Sequence, residues 1–233
     1  MIWVIVPAAG TGTRFGDGLP KQYQALAGLP LIACTLGRLL AHPRIDGAVV
    51  ALSAHDAHWT ALALRFEKPL LACVGGADRS ASVLSALRAL PMSVGNDDLV
   101  LVHDAARPCI RHADLDRLID AAHSDAVGAL LASPLRDTLK RADKDARVVA
   151  TEPRELFWRA QTPQAFRRGA LTQALQLARA DGIAATDESM AMERLGLQPL
   201  LVEGSEDNIK VTVAADLALA ERILATQRDE EAK

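Results

Sequence analysis

The stretch "VIVPAAGTGTRFGDGLPKQY", residues 4–23, decides how the chain is read. A hydrophobic strand runs into Gly10, Gly12 and Gly16, with Arg14 among them and Lys21 after a short polar gap. Glycines leave backbone amides uncovered, so phosphate oxygens can approach them closely. Such a loop suits a dinucleotide, a P-loop triphosphate, a nucleotide activated for transfer, or simply a turn. The dinucleotide fingerprint GxGxxG is only half met, because Gly12 and Gly16 stand four apart where it needs three. Gly18 and Pro20 prevent the long helix that should follow. The second strand ends "ALSAHD", where Asp56 is a poor fit for a ribose-binding acid. The Walker pattern fails too, for no Gly-Lys-Ser/Thr occurs. Arg14 and Lys21 are the informative residues. Two fixed cations beside a glycine loop suit a reaction at phosphorus, where negative charge must be stabilised in the transition state.

Outward from this loop, apolar segments at 2–7, 48–53, 70–74, 98–103 and 127–133 alternate with helical spacing at 32–41, 57–66, 80–90 and 114–123. Buried strands alternating with helices predict an α/β sheet, largely parallel and covered on both faces. Ligands bind beyond the carboxyl ends of such strands. That rule singles out the glycine loop, "GGADRSAS" and "HDAARP". Past Ser133 the rhythm changes, and residues 134–154 read as a projecting β-hairpin that packs on something else, such as a second subunit. Helices follow over 166–181 and 187–195, the second capped by Thr186 or Asp187. "QPLLVEGS" and "NIKVTV" read as strands, "AADLALAERILATQ" as a closing helix, and "RDEEAK" as a frayed end. No linker or repeat divides residues 1–233, which read as one domain.

Composition narrows the function. The 233 residues are 50% hydrophobic with no run near the roughly 20 residues of a membrane helix, and the start carries no signal-peptide pattern. Cys34, Cys73 and Cys109 lie far apart, which predicts reduced thiols in a cytoplasmic protein with no zinc site. A net charge of -3 and 3% aromatics offer no basic stripe or stacking platform for nucleic acid. An anionic partner is therefore expected to be small and met by local charges.

"PAAGTGTRFGDGLPKQY" resembles the signature of nucleotidyltransferases that activate small phosphorylated alcohols and sugars. With "VHDAARP", "GGADRSASV", "RDTLKR", "TPQAF", "TDESMAME" and "VEGSEDNIKVT" in order, the chain is similar to the 2-C-methyl-D-erythritol 4-phosphate cytidylyltransferase family from Val6 to about Leu217. The resemblance implies a Rossmann-like three-layer α/β sandwich, a mostly parallel twisted sheet, and a β-arm used for dimerisation. It implies transfer of CMP from CTP to 2-C-methyl-D-erythritol 4-phosphate, giving 4-diphosphocytidyl-2-C-methyl-D-erythritol and pyrophosphate in non-mevalonate isoprenoid precursor synthesis. Mg²⁺ or another divalent cation is the implied cofactor and a homodimer the implied assembly, with no nucleic acid or membrane as partner. A fused downstream synthase occurs in some relatives; this chain is expected to do one step only.

Residue by residue, the resemblance gives Arg14 and Lys21 the α-phosphorus and departing pyrophosphate. Ala8, Ala9, Gly10, Thr11 and Gly12 cradle the nucleotide, and Gly75, Gly76, Ala77 and Ser82 select the base. Asp104 holds the metal, with Asp207 as a second candidate, while His103 is structural. Arg107, Thr138, Arg154, Thr162 and Lys210 take the alcohol phosphate, Thr138 and Arg154 serving a neighbour's site across a dimer. Thr186 is a helix cap first and a substrate contact second. The chain departs from the family pattern at Ala77, where an acidic residue is common, and at Phe15, where methionine is usual. A cytidylyltransferase for another polyol phosphate, such as ribitol 5-phosphate, shares most of these residues. A non-catalytic nucleotide-binding regulator on the same fold has less use for Arg14, Lys21 and Asp104 together.

Overall fold

The computed structural model describes residues 1–10 and 19–231. Strand β1 (Ile2–Ala8) is followed by a two-stranded ribbon, β2 (Ala25–Leu26) and β3 (Leu29–Pro30), and by helix α1 (Leu31–Leu40). Next come β4 (Gly47–Leu52), β5 (Leu70–Val74), α2 (Arg79–Arg88), β6 (Leu99–Val102), α3 (His112–Ser124) and β7 (Gly128–Pro134). A hairpin of β8 (Leu139–Ala142) and β9 (Val148–Glu152) leads into β10 (Trp158–Arg167), α4 (Arg168–Ala180) and α5 (Glu188–Glu193). The described chain closes with β11 (Leu200–Glu203) and α6 (Ala214–Glu231).

Seven strands form one sheet in the order β11-β7-β10-β6-β1-β4-β5. β10 runs antiparallel to both its neighbours, and the other four pairings are parallel. Alternation along the central strands sends side chains to opposite faces. Val4 and Val6 pack with Ile32, Leu36, Leu115 and Leu118 on one face. Trp3 and Ile5 pack with Val83, Leu87, Leu171 and Leu175 on the other. The fold is thus α/β and Rossmann-like, with helices covering both faces of a mostly parallel sheet. The carboxyl ends of β1, β4 and β6 lie side by side, as their parallel pairing requires.

Several expectations need correction. The helical spacing at 57–66 yields only a 3₁₀ turn, Thr60–Leu62, which stops where Ala63 takes a φ of 44°. The helix expected over 166–181 begins at Arg168, because residues 158–167 form β10. Pro163 and the polar Gln161 and Gln164 disguise this strand, yet Gln161 through Phe166 are all buried. Pro163 falls within the register shift between Ala160 and Gln164, the kind of irregularity where a sheet tolerates proline. "NIKVTV" is not a strand; Val211 donates one backbone bond to the Ala106 carbonyl. The closing helix runs on to Glu231, tied down by Arg38–Glu231 and Arg111–Glu230 ion pairs of 2.7 Å. By contrast, 134–154 forms the expected hairpin, and Asp187 caps α5 through its bond to the Met190 amide.

Gly128 opens β7 with a φ of +126°, and a Cβ there would stand 2.5 Å from the Ala165 carbonyl oxygen and 2.6 Å from Phe166 Cδ1. Backbone strain and overpacking should act together, so Gly128→Ala is expected to destabilise by about 2–4 kcal/mol. A lower urea midpoint with an unchanged slope is the measurement that checks it.

Candidate active site

At the carboxyl end of the sheet lies a cavity of about 320 Å³, lined by residues from five separate stretches of chain. Ala8, Ala9 and Gly10 come from the end of β1, and Lys21 and Gln22 from the turn after the glycine loop. Gly76 to Arg79 and Ser82 come from the start of α2. Asp104 to Ala106 follow β6, and Lys210 precedes α6.

The cradle is shaped by what cannot be there. A Cβ on Gly75 would stand 2.7 Å from Ala9 Cβ and 2.8 Å from Ser82 Oγ. One on Gly76 would stand 2.3 Å from Ala81 Cβ. Two glycines therefore let the loop press against both β1 and α2. Asp78 caps α2, its Oδ1 accepting from the Ala81 amide and the Ser80 hydroxyl at 2.7 Å each. Those bonds hold the Asp78 carboxyl below the usual range. Ser82 braces the loop: its Oγ accepts from the Gly76 amide at 3.1 Å, and its proton points at the Asp78 carbonyl, 2.8 Å away. A contact from Ser82 to a base carbonyl requires that second bond to be exchanged.

Asp104 is the charge at the floor. It is 8% exposed, and three cations surround it: Lys210 Nζ at 2.9 Å, Arg79 Nε at 3.4 Å and Arg107 Nε at 3.5 Å. Burial opposes its ionisation, but Arg79, Lys210 and Arg107 outweigh burial and hold the carboxyl well below the carboxylate range. Arg79 is fixed from behind. Its two terminal nitrogens reach the two oxygens of the fully buried Glu188 at 2.5 and 3.1 Å. Burial opposes the Arg79 charge, and the Glu188 carboxylate more than restores it. Gln164 secures α5 in turn, donating to Asp187 Oδ2 at 3.0 Å and accepting from the Ser189 amide at 2.8 Å.

His103 lies beneath the pocket with no exposed surface. Thr162 Oγ1 accepts from the Asp104 amide at 3.0 Å and sits 3.0 Å from His103 Nδ1. The Thr162 proton therefore goes to Nδ1, and Nε2 donates to the Arg107 carbonyl at 2.9 Å. Burial pushes the His103 pKa down to about 4, so the ring is a neutral brace.

The expected residues do not all converge. Ala8, Ala9, Gly10, Lys21, Gly76, Ala77, Ser82, Asp104 and Lys210 share the pocket, while Gly75 packs behind it. Thr11, Gly12 and Arg14 lie outside the described residues, as does Phe15. Arg107 and Thr162 stand just below the floor, Arg107 donating to the Asn208 carbonyl at 2.6 Å. Thr138 and Arg154 are exposed at the base of the hairpin, where Arg154 donates to the Arg136 carbonyl. Asp207 does not line the pocket, and its Oδ2 is taken by Arg111 at 2.6 Å and Gln227 at 3.2 Å, in the packing of α6. Thr186 is exposed, its hydroxyl directed at Met190 Sδ. Arg79 and Glu188 also join the site, although nothing in "GGADRSAS" or "TDESMAME" marks them as partners. Asp56, a poor fit for a ribose-binding acid, is bonded to Tyr23.

Among the described residues no group of three or more His, Cys, Asp or Glu side chains converges to hold a metal ion. Asp104 fits a different kind of site. An ionised carboxylate on a pocket wall suits Mg²⁺, which takes its other ligands from phosphate oxygens and water.

Against known proteins, a profile of the family described as 2-C-methyl-D-erythritol 4-phosphate cytidylyltransferase matches residues 2–226. The 2-C-methyl-D-erythritol 4-phosphate cytidylyltransferase of Xanthomonas axonopodis pv. citri (strain 306) is 59% identical over 226 residues, 97% of this chain and 85% of that protein. A crystal structure of 4-diphosphocytidyl-2C-methyl-D-erythritol synthase superposes with a TM-score of 0.82 at 34% identity, over 96% of this chain and 98% of that one. The Francisella tularensis 2-C-methyl-D-erythritol 4-phosphate cytidylyltransferase superposes with a TM-score of 0.81 at 35% identity, over 95% and 99%.

Glu188→Ala would leave Arg79 without its buried partner. The expected loss is about 2 kcal/mol, short of the roughly 3–5 for a sealed pair because Arg79 also reaches the pocket. Thermal or urea unfolding checks this, and Glu188→Gln should lose less.

Proposed function

The chain belongs to the 2-C-methyl-D-erythritol 4-phosphate cytidylyltransferase family, and on that premise we propose that the pocket beyond β1 and β6 is where its two substrates meet. The activity is transfer of CMP from CTP to 2-C-methyl-D-erythritol 4-phosphate in isoprenoid biosynthesis. The juxtaposition of Lys21, Asp104 and Lys210 with the Ala8–Gly10 and Gly76–Ala77 backbone in one cavity supports this placement.

A phosphate oxygen of the alcohol phosphate attacks the α-phosphorus of CTP, and the bond to the leaving pyrophosphate breaks. A phosphomonoester's second pKa is about 6, so the nucleophile is largely ionised at neutral pH and needs no general base. The neutral, buried His103 is not asked for one. The work is to bring polyanions together in line and to stabilise the charge that develops. Ala8, Ala9, Gly10, Thr11 and Gly12 would hold the triphosphate, and Arg14 and Lys21 would stabilise charge on the α-phosphorus and the leaving group. Gly75, Gly76 and Ala77 meet the base through main chain, which needs no carboxylate at 77, and Ser82 braces them. Lys210, Arg107 and Thr162 form the acceptor side, completed by Thr138 and Arg154 from a hairpin that reaches a second copy of the chain. Exposed Val148, Val149, Leu156 and Phe157 suit that contact.

Asp104 is the residue that would hold Mg²⁺. When bound, the cation supplies charge neutralisation to the triphosphate. Residues 1–233 work as one nucleotidyltransferase domain, in the cytoplasm. Among the described residues no helix is long and apolar enough to cross a membrane.

Pyrophosphate release should be measured with each nucleoside triphosphate, Mg²⁺ and either 2-C-methyl-D-erythritol 4-phosphate or ribitol 5-phosphate. Only CTP with the former should turn over efficiently. Lys21→Ala is expected to keep CTP binding while kcat falls at least 100-fold, on the scale of a lost transition-state donor. Mixing Arg14→Ala with Arg154→Ala chains should restore part of the activity. No recovery in proven mixed dimers would count against a shared site.

A further inference from the structure

Lys21 stands on a single 3₁₀ turn, Lys21–Tyr23. One such turn has poor hydrogen-bond geometry and little stability alone. A lysine also carries large rotamer entropy on a flexible stem. Where a catalytic cation stands depends in part on the backbone that carries it.

That backbone is pinned on two sides. Gln22 is 7% exposed, and its Nε2 donates to the Ala8 carbonyl at 3.0 Å and the Gly10 carbonyl at 3.5 Å. The residue after Lys21 thus bonds directly to the end of β1 and the first glycine of the cradle. A glutamate there would set a carboxylate against carbonyl oxygens, and an alanine would leave the carbonyls without their donor. Tyr23, 4% exposed, packs in the core with Ile32 and Leu36. Its hydroxyl donates to Asp56 Oδ2 at 2.7 Å. Asp56 Oδ1 accepts from the His58 and Trp59 amides at 3.0 and 2.9 Å, which fixes the loop after β4. Both Asp56 oxygens are therefore engaged in structure.

We propose that Gln22, Tyr23 and Asp56 are positioning residues that set Lys21 at a fixed distance from the nucleotide cradle. The inference rests on the role given to Lys21 above. It assigns the Asp56 carboxylate a function in the same reaction without any contact to substrate. A displacement of about 1 Å in a group acting on the transition state can cost up to 100-fold in rate. Packing of the tyrosine ring alone would instead govern stability and leave the folded enzyme's rate unchanged.

Tyr23→Phe separates the two, because it keeps the ring and removes only the hydroxyl. In the full-length enzyme it should lower kcat about tenfold with the CTP KM changed less than twofold, and Asp56→Asn should act the same way. Circular dichroism and thermal unfolding confirm that each variant is folded at the assay temperature. The deciding test is a double-mutant cycle: in a Lys21→Ala background, Tyr23→Phe should add no further loss. Full additivity, with Lys21→Ala itself slow, overturns the inference and leaves the role of Lys21 standing. A parent-like kcat in folded Tyr23→Phe also overturns it. A parent-like kcat in Lys21→Ala overturns both.

Discussion

A buried carboxylate costs several kcal/mol to desolvate unless it is paired and hydrogen-bonded. Asp104 is such a group, and the site is arranged by that requirement. Arg79 comes from α2, Arg107 from the turn after β6, and Lys210 from the segment before α6. Arg79 needs Glu188 from α5, and the Asp104 amide needs the Thr162 hydroxyl from β10. Satisfying one negative charge thus draws five stretches of chain to the end of the sheet. Arg79, Arg107 and Lys210 meet Asp104 and Glu188 there, with Asp187 and the pocket-lining Asp78 close by.

This dependence explains which parts could be read from the amino-acid order. Strands β1, β4 and β6 are nearly continuous runs of Val, Leu, Ile and Ala because both faces are covered, and that pattern is local. The glycine loop and the β8–β9 hairpin announce themselves by residues a few positions apart. Strand β10 does not, since Gln161, Pro163 and Gln164 break the alternation that marks a strand. Those residues are kept by long-range partners: Gln161 donates to the Ser205 carbonyl, and Gln164 to Asp187. The helical spacing at 57–66 misled for the opposite reason. Its periodicity is real, but Ala63 leaves the right-handed region and the segment only pads the core.

The site divides the same way. Ala8 to Gly10 and Lys21 are legible because they stand close together in the chain, and Gly76 because it belongs to a glycine pair at a strand end. Arg79 and Glu188 are 109 positions apart, so no local pattern couples them. Asp207 stands inside a quoted motif, and its Oδ2 is held toward the last helix by Arg111 and Gln227. Arg107 and Thr162 fall between these cases, recognised as residues yet found bracing the floor from below.

The cations also differ in how freely they can answer a substrate. Arg79 and Arg107 are side chains 24% and 12% exposed, each bonded beyond Asp104 to a second fixed acceptor. Lys210 is 43% exposed and touches Asp104 through a single ammonium. Arginine forks suit a permanent frame, whereas a lysine point charge on a flexible stem suits a partner that can be exchanged. If an anion draws Lys210 away, the two arginines remain to keep Asp104 ionised. In the proposed reaction, charge is redistributed among groups already in place. A chemistry that needs no general base asks the protein for little else.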